Sequence, residues 1–341
     1  MLFLFMAALA LGAVSPSDEK EMLLWQGCCP ESWYSFNGRC YKYIATKMTW
    51  IDAELHCVSQ GANLVSIHSR EEENFVKHLI RSFDPAERVK WIGLTDCQKN
   101  GAWLWSDGSK FDFKFWNKGQ PNNSGGSQDC VQTNWRKNKK WNDVKCSNKY
   151  AFVCATRTYS REISLVPVHS VANPPSAENV NMKLFLVLLC LALGAVSASA
   201  QGELALQRRN CPQFWYSFNG RCYKYIATKM TWIDAELYCV SEGANLVSIH
   251  SQEEENFVKF LIRNFDLAEG VNWIGLTDAQ RNGAWLWSDG SKVNFRFWNR
   301  GEPNNAGGSE ECVHTNWGTD KKWNDKDCSF KYSFVCAIRS I

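Results

Sequence analysis

The spacing of hydrophobic and polar residues along this chain changes period several times, and the same series of changes occurs twice. In its second occurrence it begins at Trp215-Tyr216-Ser217-Phe218, turns at Asn219-Gly220 and continues through Arg221-Cys222. That is the pattern of a short hairpin, with Asn-Gly supplying the turn. Thr231-Trp232-Ile233-Asp234 then opens a helix as a capping box with Asp at its N3 position, and Gly243 closes it. Ser251-Gln252-Glu253-Glu254 caps a second helix, whose apolar face runs through Phe257, Val258, Leu261 and Ile262. Short aromatic strands and turns follow, with little helical period. Two helices followed by strands and long loops predict an α+β domain.

The first occurrence lies 182 residues upstream: Cys29, Cys40, Cys57, Cys130, Cys146 and Cys154 correspond to Cys211, Cys222, Cys239, Cys312, Cys328 and Cys336 at that one offset. An unbroken offset means two copies without internal insertions, hence two similar folds, placed at 28–157 and 210–341. Residues 158–181 form a polar, proline-containing linker. Two stretches are apolar without period. Met1–Val14 with Ser15-Pro16-Ser17 reads as a secretory signal peptide over 1–17, short of the about 20 residues that a membrane span needs. Residues 182–200 repeat the device: Met182-Lys183, an apolar run through Leu193, and Ala198-Ser199-Ala200 before Gln201. A stop-transfer anchor there would leave the second domain in the cytosol, where its disulfides would not form. The expectation is therefore two neighbouring secreted units joined in one reading frame, which in the mature protein are cut before Gln201 or never joined, with no stable membrane insertion.

The 15 cysteines among 341 residues set the compartment, because a disulfide framework of that density belongs outside the cell. No C-x-x-C zinc or redox spacing occurs. The net charge of +3 hides a difference between the halves: Cys29 to Arg157 carries +6, whereas Cys211 to Ile341 carries −2. Only the first half favours an anionic partner, through the basic loop Arg136-Lys137-Asn138-Lys139-Lys140, where the second copy has Gly318-Thr319-Asp320-Lys321-Lys322. Sulfated glycans or lipid phosphates fit that loop, and nucleic acid does not suit a secreted chain. The 17 tryptophans read as core packing in a loop-rich fold, with one or two left for sugar stacking. Catalysis finds no support: there is no nucleophile elbow, H-E-x-x-H or phosphate loop, and His68 and His250 sit where packing or capping accounts for them.

The chemistry concentrates in Gly301-Glu302-Pro303-Asn304-Asn305-Ala306-Gly307-Gly308-Ser309-Glu310-Glu311-Cys312, taken with Trp323-Asn324-Asp325. Glu302, Asn304, Glu310, Asn324 and Asp325 are all oxygen donors, and three are carboxylates. That set suits Ca²⁺, which takes about six to eight oxygens in irregular geometry, and does not suit zinc. In the first copy the matching donors are Gln120, Asn122, Gln128, Asn142 and Asp143, with one carboxylate in place of three. Calcium affinity follows ligand charge, so this site is expected to be degenerate. Asn122-Asn123-Ser124 is also an N-glycosylation sequon beside it.

Glu302-Pro303-Asn304 with Trp323-Asn324-Asp325 resembles the signature motifs of C-type lectin carbohydrate-recognition domains. Trp273-Ile274-Gly275-Leu276, Trp285-Leu286-Trp287-Ser288-Asp289-Gly290 and Phe334-Val335-Cys336 extend the resemblance, which covers Cys29–Thr156 and Cys211–Ile338. It implies two C-type lectin-like domains, each with two helices, short antiparallel sheets, long loops and disulfides. Six cysteines alone allow 15 connectivities. The resemblance implies Cys29–Cys40, Cys57–Cys154, Cys130–Cys146, Cys211–Cys222, Cys239–Cys336 and Cys312–Cys328. On chain entropy the long loop between Cys239 and Cys336 contributes about 4–5 kcal/mol and the short Cys312–Cys328 loop about 3. Cys28 and Cys97 have no counterparts; pairing with each other, staying free and linking two chains all stay open.

In the resembled family Ca²⁺ is held by the donors that also hydrogen-bond the sugar. The order Glu-Pro-Asn is associated with mannose-type sugars (mannose, N-acetylglucosamine, fucose), Gln-Pro-Asp with galactose, and the proline is typically cis. The resemblance therefore implies a secreted, calcium-dependent lectin acting on glycans of glycoproteins or microbial surfaces, with oligomers supplying avidity. Auxiliary calcium positions would fall near Asp278 and Asn282, where the match is incomplete. The rival reading is a module of the same fold without a sugar ligand, as in type II antifreeze proteins and protein-binding snake-venom subunits. Thr95-Asp96-Cys97 resembles the antifreeze relatives, although their second extra cysteine is missing here.

Overall fold

The computed structural model describes residues 24, 26–27, 29–156, 206–207 and 211–338. The leader expected at 1–17, the linker at 158–181, the segment at 182–200 and Cys28 lie outside the described residues.

Each repeat opens with its hairpin: β1 (Tyr34–Phe36) and β2 (Arg39–Met48) in the first, β9 (Tyr216–Phe218) and β10 (Arg221–Met230) in the second. Asn219 and Gly220 turn the second hairpin at φ of 45° and 78°. Helices α1 (Trp50–Ser59) and α3 (Trp232–Ser241) start at Thr49 and Thr231, whose hydroxyls accept from the amides of Asp52 and Asp234. Helices α2 (Arg70–Phe83) and α4 (Gln252–Phe265) start at Ser69 and Ser251 in the same way. Phe257, Val258, Leu261 and Ile262 are all buried.

The short β3 (Asn63–Leu64) lies between α1 and α2, and after the helices come β4 (Lys90–Thr95), the short β5 (Leu104–Trp105), β6 (Cys130–Trp135), β7 (Lys140–Val144) and β8 (Tyr150–Ala155). The second repeat repeats them as β12 (Asn272–Thr277), β14 (Cys312–Trp317), β15 (Lys322–Lys326) and β16 (Tyr332–Ile338), with β11 (Asn245–Leu246) and β13 (Leu286–Trp287). The strands of a repeat join in one eight-stranded sheet ordered β1-β2-β8-β4-β6-β7. Its pairings are antiparallel except β4 with β8, and β12 with β16, which run parallel because a crossover separates them in sequence. The α+β class is borne out, with mixed sheets.

Eight tryptophans are fully buried: Trp50, Trp91, Trp105 and Trp141, and their counterparts Trp232, Trp273, Trp287 and Trp323. Core packing thus explains much of the tryptophan content. Disulfides join Cys29–Cys40, Cys57–Cys154 and Cys130–Cys146, and Cys211–Cys222, Cys239–Cys336 and Cys312–Cys328.

The repeats meet along one face, and the hydrogen bonds and ion pairs across it come in matched pairs under exchange of the two repeats. Asn63 Nδ2 donates to Gly290 O at 3.1 Å, and Asn245 Nδ2 to Gly108 O at 3.0 Å. Arg281 pairs with Asp52 at 2.6 Å, and Lys99 with Asp234 at 3.1 Å. Ala284 and Leu286 join the buried cluster around Trp50, while Ala102 and Leu104 pack against the cluster around Trp232. This is isologous contact, the geometry of a two-fold dimer, made inside one chain. Glycine is required where the backbones touch. A Cβ on Gly290 would lie 2.7 Å from the Asp107 Cα, and one on Gly108 2.7 Å from the Asp289 Cα. Gly290→Asn, a residue that accepts the left-handed φ of 73°, is therefore expected to force the repeats apart while leaving each one folded. Small-angle scattering should show a larger radius of gyration with an unchanged near-ultraviolet circular dichroism spectrum.

Candidate functional site

The loop Asn299–Glu311 is built on the end of the β14–β15 hairpin. Asn299 N donates to Trp323 O at 2.8 Å, and Glu302 N to Asn299 O at 3.0 Å. The Glu302-Pro303 peptide is cis, as is Gln120-Pro121. Asn305 takes a left-handed φ of 45° and leads into a 3₁₀ turn over Ala306–Gly308, which brings the chain back to Glu310.

Asp325 organises what the loop presents. It is wholly buried, and its two carboxylate oxygens accept from Asn304 N at 3.1 Å and Asn305 N at 2.7 Å. Glu310 Oε2 accepts from Ala306 N at 3.0 Å, and Asn304 Oδ1 accepts from the same amide at 2.8 Å. Asn324 donates from Nδ2 to Asp325 O at 2.6 Å and faces His314 Nε2 at 3.3 Å. Those bonds orient the amide, so that Oδ1 is the atom it has to offer a cation. All five sequence-predicted residues, Glu302, Asn304, Glu310, Asn324 and Asp325, are thus brought to one place by two segments, the second of which the Cys312–Cys328 disulfide brackets.

The electrostatics of this place are unfavourable as it stands. The Glu302 carboxyl is pushed above its ordinary value by burial, then by the neighbouring charges of Asp325 and Glu310. Its Oε2 is buried without a hydrogen-bond partner. An orphaned buried carboxylate oxygen among two further carboxylates and two amide oxygens is the environment that a hard divalent cation relieves. The donors fit Ca²⁺.

Three residues that the sequence reading did not single out shape the site. Lys326 Nζ lies 2.5 Å from Glu310 Oε1 and supplies a competing positive charge; the first repeat has Val144 there. His314 is wholly buried against Asn324, and burial pushes its imidazole down to about 4, so it stays neutral. Glu255, on α4, is wholly buried and accepts from Thr315 Oγ1 at 2.9 Å and Trp323 Nε1 at 2.8 Å. It ties the helix to both strands of the hairpin that carries Asn324 and Asp325. The three acidic residues Glu253-Glu254-Glu255 read only as a capping turn, and their depth is a tertiary fact.

In the first repeat the same backbone holds a weaker donor set. Asp143 Oδ2 accepts from Asn122 N at 2.9 Å and Asn123 N at 2.6 Å, and Gln128 Oε1 accepts from Ser124 N at 2.8 Å. Gln120 Oε1 and Asp143 Oδ1 are buried without partners, while Asn142 donates to Asp143 O at 2.6 Å. Gln120, Asn122, Gln128, Asn142 and Asp143 therefore assemble as their counterparts do, with Asp143 alone charged.

Other candidates resolve locally. Asp278 Oδ2 accepts from Gly283 N at 2.6 Å and serves a turn, while its Oδ1 is buried without a partner. His68 lies 3.2 Å from Ser109 Oγ and 3.1 Å from Asp112, but Ser109 donates its proton to Asp107 at 2.5 Å and is not activated by the imidazole. Cys97 keeps its thiol, with Sγ 3.6 Å from Cys146 Sγ, and burial pushes it up to about 12. Among the described residues, the only trio of cysteine, histidine or acidic ligand atoms within 4.8 Å is Cys97, Cys130 and Cys146, two of which form a disulfide. The Glu302, Glu310 and Asp325 carboxylates stand wider than that, held by Lys326 and by loop amides.

A profile of the Lectin C-type domain matches residues 46–156 and 228–338. Ladderlectin of Oncorhynchus mykiss is 41% identical over 146 residues, covering 43% of this chain and 77% of that protein. The galactose-specific lectin nattectin of Thalassophryne nattereri is 43% identical over 127 residues, 37% of this chain and 79% of that one. C-type mannose receptor 2 of Mus musculus is 29% identical over 299 residues; the match takes in 87% of this chain but only 17% of the receptor.

Glu255→Met removes both buried acceptor oxygens and leaves Trp323 Nε1 and the Thr315 hydroxyl without a partner. The expected cost is about 1–3 kcal/mol, read as a lower thermal midpoint for the second repeat, and Glu73→Met should do the same in the first.

Proposed function

This chain belongs to the C-type lectin domain family, and from that premise we propose that its second repeat is a calcium-dependent sugar-binding domain of mannose-type specificity, while the first has lost that activity. The observation that carries the proposal is that Glu302 Oε2, a buried oxygen without a partner, belongs to a carboxylate set against those of Asp325 and Glu310, whereas its partnerless counterpart Gln120 Oε1 belongs to a neutral amide. Ca²⁺ would be held by Glu302, Asn304, Glu310, Asn324 and Asp325, and would supply the coordination to which two neighbouring sugar hydroxyls bind. Glu302 accepts a hydrogen bond from one hydroxyl, and the amide of Asn304 donates to the other. The polarity of that pair selects the arrangement of hydroxyls. In the first repeat Gln120-Pro121-Asn122 lacks the acid, and its single carboxylate gives weaker attraction. The names of the relatives point to both mannose and galactose, so the specificity rests on the order of acid and amide.

A secreted location is supported by the six disulfides of the described residues, which require an oxidising compartment. Among the described residues no helix is long and apolar enough to cross a membrane. No catalytic role is proposed. Microbial or host glycoprotein glycans are the partners that a secreted lectin of this kind meets.

Retention of the full chain on immobilised mannose with calcium, lost in chelator, is the expected result. The double substitution Glu302→Gln with Asn304→Asp installs the Gln-Pro-Asp order and should move retention to galactose. Retention on neither sugar, before and after that exchange, would overturn the proposal. Replacing Lys326 by Val, as in the first repeat, removes the charge competing for Glu310. It should tighten Ca²⁺ binding by about two- to fivefold in calorimetric titration. Protons compete with the cation as well. Because Glu302 is raised above its ordinary value, calcium affinity should fall with falling pH before an ordinary glutamate titrates, and Glu302→Gln should remove that part of the dependence.

A further inference from the structure

The first repeat carries a cleft of about 830 Å³ at the end of the β6–β7 hairpin remote from Asp143, where Trp135 pairs with Lys140. Its aromatic floor includes Tyr43 and Phe83, stacked with ring centres 5.5 Å apart, and Tyr150. Trp135 stands on the wall with the Arg136 guanidinium 5.5 Å over its ring. Six cations line the cleft against two carboxylates, Asp84 and Glu87. Lys90 and Arg88 share Asp84, at 2.7 and 2.9 Å, and Lys139 lies 3.5 Å from Glu87. Among the described residues Lys47, Arg136 and Lys149 make no ion pair, so the cleft keeps an excess of positive charge.

A second observation is independent of charge. Asn134 lines this cleft and is 4% exposed, yet neither Oδ1 nor Nδ2 has a hydrogen-bond partner, and Trp135 Nε1 also lacks one. Leaving a buried amide unbonded is costly, and the cost is recovered when a ligand supplies both a donor and an acceptor. The second repeat keeps the rings but weakens the rest, although Asn316 Oδ1 stays without a partner. Gly270, Asn272 and Gly318 replace Arg88, Lys90 and Arg136, and Asn316 Nδ2 donates to Gly270 O at 3.4 Å. The +6 of the first half is thus partly gathered in one concave, aromatic-lined place.

We propose that this cleft binds a sulfated saccharide without calcium: sulfate groups on Arg88, Arg136 and their lysine neighbours, a sugar face on the aromatic rings, and hydroxyls on Asn134. Aromatic rings present flat apolar surface to the C–H face of a sugar, Arg presents paired donors to an oxyanion, and an amide both gives and takes hydrogen bonds. Simple polyanion attraction would need neither the rings nor the amide. The reading does not depend on the loop around Glu302.

The test uses the full chain in chelator, with a sulfated heparin-derived oligosaccharide and its chemically desulfated form as probes. Arg88→Gly with Arg136→Gly installs residues that the second repeat tolerates at the same positions, so folding is preserved. The expected result is binding of the sulfated probe alone, weakened about tenfold per lost charged contact. Asn134→Asp, which keeps the φ of 61° that an Asx residue accepts, should abolish binding by adding a buried anion. Calcium-dependent sugar retention should be unchanged in both variants. The proposal is overturned if the charge-matched pair Lys110→Gln with Lys145→Gln weakens binding as much, or if the desulfated probe binds equally. It is likewise overturned if chelator abolishes binding, or if anionic phospholipid vesicles bind and the oligosaccharide does not.

Discussion

A buried glutamate holds each repeat in working shape. Glu255 has no exposed surface, and its two oxygens bind Thr315 on β14 and Trp323 on β15; Glu73 does the same for Thr133 and Trp141 at 3.2 and 2.8 Å. Burial raises both carboxyls above their ordinary value, opposed by Lys77 and Lys259, one helical turn on. A carboxylate so placed is tolerable only while every partner stays where it is. The register of the hairpin, and with it the positions of Asn324 and Asp325, is therefore fixed from beneath by a helix. The loop above can be irregular because its foundation is not.

Local grammar made much of the fold legible. Asn219-Gly220, Thr231 with Asp234, and Ser251 with Glu254 each carry their geometry within four residues, and each forms in place. The five donors of the candidate site were legible for a similar reason, since oxygen ligands around a proline and beside a tryptophan form a compact pattern. What escaped was non-local. Lys326 is an ordinary lysine until the loop folds back and brings Glu310 to it, and His314 is an ordinary strand residue until Asn324 arrives opposite. Glu255 lies in a run of three acids that reads as a helix start, and only the packed hairpin shows which one is buried. The parallel pairing of β4 with β8 likewise depends on a crossover that no local period encodes.

The two repeats show how much chemistry can change on an unaltered scaffold. Tryptophans, disulfides, caps and buried acids recur at the constant offset of 182, while the surface residues diverge in opposite directions. Glu302, Glu310 and Lys326 in one copy face Gln120, Gln128 and Val144 in the other. Arg88, Lys90 and Arg136 face Gly270, Asn272 and Gly318. Lys90 is fully buried and Val144 packs with the cluster around Trp50, so at those two positions the exchange reaches below the surface, while Gln120, Arg88 and Arg136 lie where the fold does not depend on them.

The face between the repeats has a further consequence. A surface that is its own complement, with Lys99 and Arg281 interchangeable opposite Asp52 and Asp234, does not distinguish a half supplied by its own chain from a half supplied by another. What keeps the partnership internal is the connection, which gives each half a local concentration of the other far above that in solution. Sever the connection, and partner choice passes from covalent linkage to mass action. Like halves would then compete with unlike ones for the same seat, and the number of copies of the Glu302 loop per particle would become a matter of stoichiometry.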